Sequence, residues 1–377
     1  MPSKPLQPAN DFLGQEIPGA TPGVPVPDTE HAMVTERYWY MGASMPAGGQ
    51  MFSAGLGYYP NRGIIDGFVG VTLGDVQYCY TASRHVGDGP LKPEIGDLRI
   101  TIEEPMRTHR ITLPENDSGL SLDMRFHAKL HPNDEGDDVL VKRGTLAASV
   151  RRLAQFGCFE GWINVQGQRI DVRPDEWVAA RDRSWGLRIE ANTDETQPPV
   201  TEFRSLFFIW VCAQFDGFGI HFYLKETEPG KVRFLGGDEA YSLDGSQPSR
   251  RITAVTHDLQ WHDDAYSQHL KSGQLVVHFE DGTHKVVHFD CTPGRFYLKA
   301  GLYGGINGWS QGHDKGALYS QFTRWDHTDP QHRRTLRTLA DQATVFRCGD
   351  AVGYGTIQAG VSPGFGRYEQ VQHAPMM

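Results

Sequence analysis

Residues 205–226 read SLFFIWVCAQFDGFGIHFYLKE. Two apolar runs flank Asp216-Gly217, a dipeptide suited to the tight turn of a β-hairpin. A two-residue turn there pairs Phe215 with Phe218, Ala213 with Ile220, Val211 with Phe222 and Ile209 with Leu224. All eight are apolar, so that face is expected to pack into a core. The opposite face sets Cys212 across from His221 and Trp210 across from Tyr223, with Gln214 beside them. An aromatic face with a few polar groups matches the make-up of ligand pockets, and a cavity wall is the reading adopted here. The competing reading is a second, less regular core contact.

Working outward, QLVVHFEDGTHKVVHFD (274–290) turns at Asp281-Gly282, and GWINVQGQRIDV (161–172) turns at Gln166-Gly167. Helical patterning is rare. RRTLRTLADQA (Arg333–Ala343) is the one segment expected to be helical. The fold class is therefore all-β, and barrels or sandwiches limit exposed strand edges. Residues 1–30 hold prolines at 2, 5, 8, 18, 22, 25 and 27, and are expected to form an extended tail wrapping the body. Asn133–Asp138 and Asn192–Pro199 lack strong apolar patterning. The second, NTDETQPP, divides the chain into an N-terminal β-barrel domain (31–191) and a C-terminal one (200–377).

Composition narrows the function. The 377 residues carry 36 Lys and Arg against 46 Asp and Glu, a net charge of −10, with no basic run. Nucleic acid is therefore not an expected partner. The five cysteines (79, 158, 212, 291, 348) form no CxxC pair and suit a reducing compartment. The N-terminus has no apolar signal-like segment, and the longest apolar run, Leu206–Ala213, is too short for a membrane-spanning helix. These features predict a cytoplasmic protein, and a homodimer is compatible with them.

Sixteen histidines raise the question of a metal. His284 and His288 share a strand face but lie roughly 13 Å apart at about 3.3 Å per residue, and His278 is expected on the opposite face. His257 and His262 fall on opposite faces, and no HExxH or HxH occurs, so no metal site is expected. No phosphate-binding loop, dinucleotide fingerprint or Gly-x-Ser-x-Gly elbow is present either, so neither a nucleotide site nor an α/β-hydrolase nucleophile is expected.

Two polar–aromatic clusters stand out. AARDRSWGLR (179–188) alternates so that Asp182 and Ser184 face one way and Arg181, Arg183 and Trp185 the other. An Asp among guanidinium groups is commonly a structural ion pair; as a proton donor it needs a desolvated setting. KAGLYGGINGWSQGHDKG (299–316) presents Tyr303, Trp309, His313 and Asp314 among six glycines. It reads either as a plain connection between strands or as a loop over a barrel mouth, offering aromatics to a hydrophobic ligand.

LRITIEEPMRTHRITL (98–113), LDMRFHAKLHP (122–132) and AQFGCFEGWINVQGQRIDV…AARDRSWGLR (154–188) resemble a bacterial two-domain family of unknown function, with RD-[HR]-SWG its most specific segment. GYGTIQAG (353–360) echoes the family's closing motif. The resemblance covers roughly residues 30–370 and extends to the wider superfamily of carotenoid 1,2-hydratase (hydroxyneurosporene synthase) and AttH-like proteins. It implies two lipocalin-like β-barrels, and hydratase or cyclase chemistry on polyenes and isoprenoids without metal or organic cofactor. Arg183 stands where the motif often has His, and Gln358 where a Glu is expected, which leaves Asp182 as the transferable acid.

The leading expectation is a cofactor-independent hydratase, lyase or isomerase acting by acid–base chemistry on a hydrophobic isoprenoid, steroid-like or aromatic molecule. Asp182, His221 and Tyr223 are the candidate catalytic residues. Trp185, Trp210, Cys212, Tyr303 and Trp309 are the candidate substrate-binding residues. The alternatives are a non-catalytic lipocalin-like carrier and a double barrel that binds only a protein partner. A convergent Asp–His–Tyr cluster separates the first reading from the other two.

Overall fold

The computed structural model describes residues 5–14, 34–45, 48–87, 91–142, 145–188, 206–337 and 339–373. It is nearly all-β, with two barrel-like sheets, one nearly closed and one a closed eight-stranded barrel. The first sheet is built around Val34–Ser44, which pairs with Gln50–Tyr59 on one side and Trp177–Leu187 on the other. Beyond Gln50–Tyr59 come Ile64–Leu73 and Val76–His85. Beyond Trp177–Leu187 come the long strand Thr145–Val165, then Leu120–Ala128, Thr108–Leu113, Leu98–Glu104 and Glu94–Ile95. The second sheet closes in chain order, from Phe207–Gln214 round to Ala351–Val361, which pairs back onto it.

One strand does not follow the order of the chain. Leu318–Asp326, from the second half, leaves its own barrel and pairs with Val76–His85 at the edge of the first sheet. The glycine–aromatic stretch that precedes it runs over the same sheet. Cys79 donates to the Ala300 carbonyl, and Asp66 accepts from the Gly312 amide at 2.5 Å. At Gly312, with φ of +75°, a Cβ would meet the Tyr59 ring at 2.8 Å, so glycine permits both the turn and the approach.

Alternation along the strands makes three cores. Tyr38, Tyr40, Phe126 and Phe159 fill the first sheet's interior. Ile209, Phe222, Leu275 and Phe346 fill the second barrel. Trp39, Met41, Phe156, Phe208, Trp210 and Phe296 belong to a third core between the two sheets. The hairpin at Asp216-Gly217 has the expected register, with Trp210 opposite Tyr223 and Cys212 opposite His221. Its aromatic face meets the first sheet and does not line the interior of its own barrel.

Two expectations are corrected. The expected helix at Arg333–Ala343 is a short helix over Pro330–Leu336, and Ala340–Cys348 is a strand. Asp329 caps the helix by accepting from the Gln331 amide at 2.7 Å, with Pro330 in its first turn. His278 does not face away from His284: the two are cross-strand partners with ring centroids 5.5 Å apart. The Phe279 amide bonds the Thr283 carbonyl, so the loop has three residues rather than two and the register slips by one. Asp281 enforces it by accepting from the Thr283 amide and hydroxyl.

Of the Pro-rich tail, residues 5–14 are described. They form a single 3-10 turn, Pro8–Asp11, held against buried groups of the first sheet. Asp11 is fully buried and pairs with Arg181 at 2.7 Å and His109 at 3.2 Å. Burial pushes the Asp11 carboxyl up, but the Arg181 charge and the His109 contacts outweigh it and hold the group well below the usual carboxylate range. Arg183 bonds the carbonyls of Asn10 and Phe12 and pairs with Glu36 at 2.6 Å. The boundary expected at 192–199 lies outside the described residues.

Candidate active site between the sheets

Strand register lays out the first sheet's contribution in rows. Arg37, Ser184 and Arg152 are cross-strand neighbours in one row. Trp39, Asp182 and Ala154 form the next, then Met41, Ala180 and Phe156. Because side chains alternate, Arg181 and Arg183 point into the first barrel and Asp182 points out towards the second. The second barrel answers with Trp210, flanked by Tyr223 and Gln358, and Cys212, flanked by His221 and Thr356.

Glu135 joins the two halves. Its strand, Asn133–Lys142, pairs with Thr145–Val165 and rests on the second barrel at Gly236, where a Cβ would meet the Glu135 carbonyl oxygen at 1.9 Å. That approach places Glu135 Oε1 2.9 Å from His221 Nε2 and 3.0 Å from Trp210 Nε1, which donates to it. His221 Nδ1 lies 2.9 Å from the Val211 carbonyl, which only accepts, so Nδ1 carries a hydrogen. A second proton is then held between Nε2 and Glu135. Burial raises the Glu135 carboxyl, but the His221 hydrogen bond and charge, with Arg152 and Trp210, bring it below its ordinary value.

Two other carboxyls behave in the opposite way. Asp182 Oδ1 is buried with no hydrogen-bond partner among the described residues. Burial raises its pKa and the nearby Glu135 charge raises it further, while Arg152, Arg188 and His221 oppose; the result is about 6. Asp341 is fully buried and accepts from Gln358 Nε2, with the Trp39 indole close by. Burial dominates there and lifts it to about 7. Both groups, together with Glu135, act on Cys212, whose thiol burial pushes well up. Tyr223, stacked beneath Arg152 at 5.3 Å and Lys225 at 4.3 Å, is also raised by burial, so it remains a phenol.

At the far end, Met41, Phe156, Ala180, Cys212, Gln214 and Thr356 line a narrow cleft of about 10 Å³, room for about one water. The site is thus graded along the interface, from arginines through carboxyls to an apolar end.

The geometry gathers Asp182, His221, Tyr223, Trp210 and Cys212 in this region. Tyr303 reaches it through Trp39, with ring centroids 6.1 Å apart, and through the Arg188 charge. Trp185 lies on the other face of its strand, with Arg183 over its ring at 5.2 Å, and does not face Asp182. Trp309, within the glycine–aromatic stretch, is buried beside Tyr319 and belongs to the core between the sheets. Glu135, Arg152, Arg188 and Asp341 were not singled out from sequence as site residues. Glu135 falls in the weakly patterned segment Asn133–Asp138, and Asp341 in the segment expected to be helical. The Asp329-Pro330 pair is a helix-start signal that would have moved the helix off Asp341.

A model of the Family of unknown function (DUF8625) matches residues 19–367. The chain belongs to that family. No curated protein matches it in sequence. Similar solved structures include kievitone hydratase from Nectria haematococca, 10% identical over 86% of this chain and 88% of that one, with a TM-score of 0.41. Another is CghA, 10% identical over 89% of this chain and 90% of that one, with a TM-score of 0.43. Likenesses this remote carry no information about chemistry. Among the described residues no helix is long and apolar enough to cross a membrane.

Proposed function

We propose that the chain is a hydratase, lyase or isomerase that works by acid–base chemistry, without an organic cofactor, on a hydrophobic small molecule held between the two sheets. The observation that carries this is Asp182, a carboxyl with an unpartnered oxygen and a pKa raised to about 6, facing the Glu135–His221 pair. Near neutral pH such a group can hold a proton and still give it up, which is what a general acid needs. Asp182 protonates a carbon–carbon double bond. The aromatic faces of Trp39 and Trp210 hold the resulting cation. The Asp182 carboxylate left behind takes a proton back either from an attacking water, giving hydration, or from a neighbouring carbon, giving isomerisation, while the nearby Glu135 charge favours its reprotonation. An isoprenoid substrate is the class implied by the sequence resemblance. A convergent set of titratable groups favours catalysis over simple carriage.

The experiment is deuterium uptake from D2O into a panel of polyene, isoprenoid and polycyclic alkenes, read by mass spectrometry. Uptake should fall as pH rises through about 6, because the acid must be protonated. Asp182→Asn should keep its melting temperature and lose roughly two to four orders of magnitude in rate. A loss of stability with the rate per folded molecule unchanged makes Asp182 structural and ends the catalytic reading. Tight binding of a ligand with no uptake in any case selects the carrier.

A further inference from the structure

One row from Asp182 lies a group of arginines that the proposed chemistry does not use. Ser184 sits between Arg37 and Arg152 in the strand register, and Arg188 donates to the Ser184 hydroxyl. Strands lie about 4.8 Å apart, so three guanidinium groups rise from one patch. Arg152 is 8% exposed, and its Nη1 has no hydrogen-bond partner among the described residues. Its nearest carboxylates, Glu135 Oε2 at 3.8 Å and Asp138 at 3.7 Å, favour its charge from beyond hydrogen-bond distance and leave the Nη1 donor unused. Glu135 serves His221 and Trp210, and Asp138 serves Lys225 and Arg233. The Arg188 Nε is likewise buried with no partner among the described residues, and Ser184 offers it only a neutral hydroxyl. Burial and the charges of Arg37 and Arg152 lower the Arg188 pKa to about 9, so it stays protonated with its charge poorly compensated.

We propose that Arg152 and Arg188 form an anion subsite that holds the carboxylate of an otherwise hydrophobic substrate. This rests on the acid–base reading of the same interface. A guanidinium presents a planar fork of donors that matches one carboxylate. The next row along the sheet holds Asp182, and the one after it the apolar cleft at Met41 and Phe156. Two residues along a strand span about 6.7 Å. The double bond that meets Asp182 is therefore several bonds from the carboxylate, which defines the class as a long unsaturated acid with a remote double bond rather than a conjugated short acid.

The test uses cis-parinaric acid, a fluorescent polyene carboxylate, against its methyl ester, in titrations of wild type, Arg152→Gln, Arg188→Gln and Asp182→Asn. Wild type should bind the acid on the order of ten-fold or more tightly than the ester, as for a charge-assisted contact. Both arginine variants should lose that preference while ester affinity stays. Arg152→Gln disturbs an ion-pair network; if it fails to fold, Arg188→Gln decides, because its hydrogen bond among the described residues goes to Ser184 alone. Equal binding of acid and ester, no binding of the acid, or a preference that survives Arg188→Gln overturns the subsite. Asp182→Asn should retain the preference. If it does and no alkene takes up deuterium, the anion subsite stands and the acid–base reading falls; uptake into neutral alkenes with no acid preference gives the reverse.

Discussion

Asp182 and Asp341 are carboxyls whose surroundings favour the proton, and that gives them a signature in stability as well as in chemistry. A carboxyl with a folded pKa above its unfolded value stabilises the fold at low pH, and the contribution disappears as pH rises through the folded value. For Asp341 the window runs from the ordinary value of 3.8 to about 7. The buried His109 and His269 and the half-buried His327, each lowered to about 4 by desolvation first of all, pull the other way over part of this range. The wild-type profile is therefore a difference, and the clean measurement is a comparison. Asp341→Asn, which cannot ionise, should gain on wild type in melting temperature as pH rises from about 4 to about 7 and stand above it by pH 8; a gap independent of pH would show that Asp341 does not titrate in this window. How far sequence reveals such a group depends on where its neighbours come from. Strand alternation alone turns Arg181 and Arg183 away from Asp182, so the acid was legible in ARDRSW. Glu135 was not, because its partners His221 and Trp210 lie in the other half of the chain and meet it only through a glycine's missing side chain.

The strands and hairpins were the most legible elements, because period-two alternation and Asx-Gly turns are local. The hairpin from Phe207 to Glu228 keeps its expected pairing throughout. Phe222→Ala should cost about 3–5 kcal/mol, since it empties a packed barrel interior, and chemical denaturation measures it; a loss under 1 kcal/mol would mean the two faces are assigned the wrong way round. The same locality explains the failures. Asp281 clips the neighbouring loop into a three-residue form, which no count of apolar residues foresees. Residues 133–138, rich in acids and glycine, make a strand because a sheet edge on one side and a second barrel on the other supply its contacts. The N-terminal turn at Pro8–Asp11 likewise owes its position to buried arginines. Deleting residues 1–14 takes from Arg181 its carboxylate and from Arg183 two carbonyl partners, and should destabilise the protein by about 3–5 kcal/mol, the usual result of leaving a buried charge unpaired. An unchanged denaturation midpoint would show that the turn is only laid on the surface.

At the scale of the molecule, the candidate site belongs to neither barrel. Its acid and arginines come from the first sheet, its histidine and indole from the second, and the apolar contact between Trp39, Phe156, Phe208 and Phe296 holds them in register. An all-β architecture in two halves followed from patterning alone; the exchange of a strand between those halves did not, because Leu318–Asp326 resembles any other strand. That exchange also sets a schedule for synthesis. The last strand of the first sheet drawn from the first half ends at Leu187, and the strand that covers its Val76–His85 edge ends at Asp326, 139 residues later (326 − 187). At translation speeds of 5–20 residues per second, a nascent first sheet waits roughly 7–28 s with one edge unpaired. During that interval the open edge is a template for another chain, and the ribosome-bound protein is most exposed to mispairing before its own second half arrives to close it.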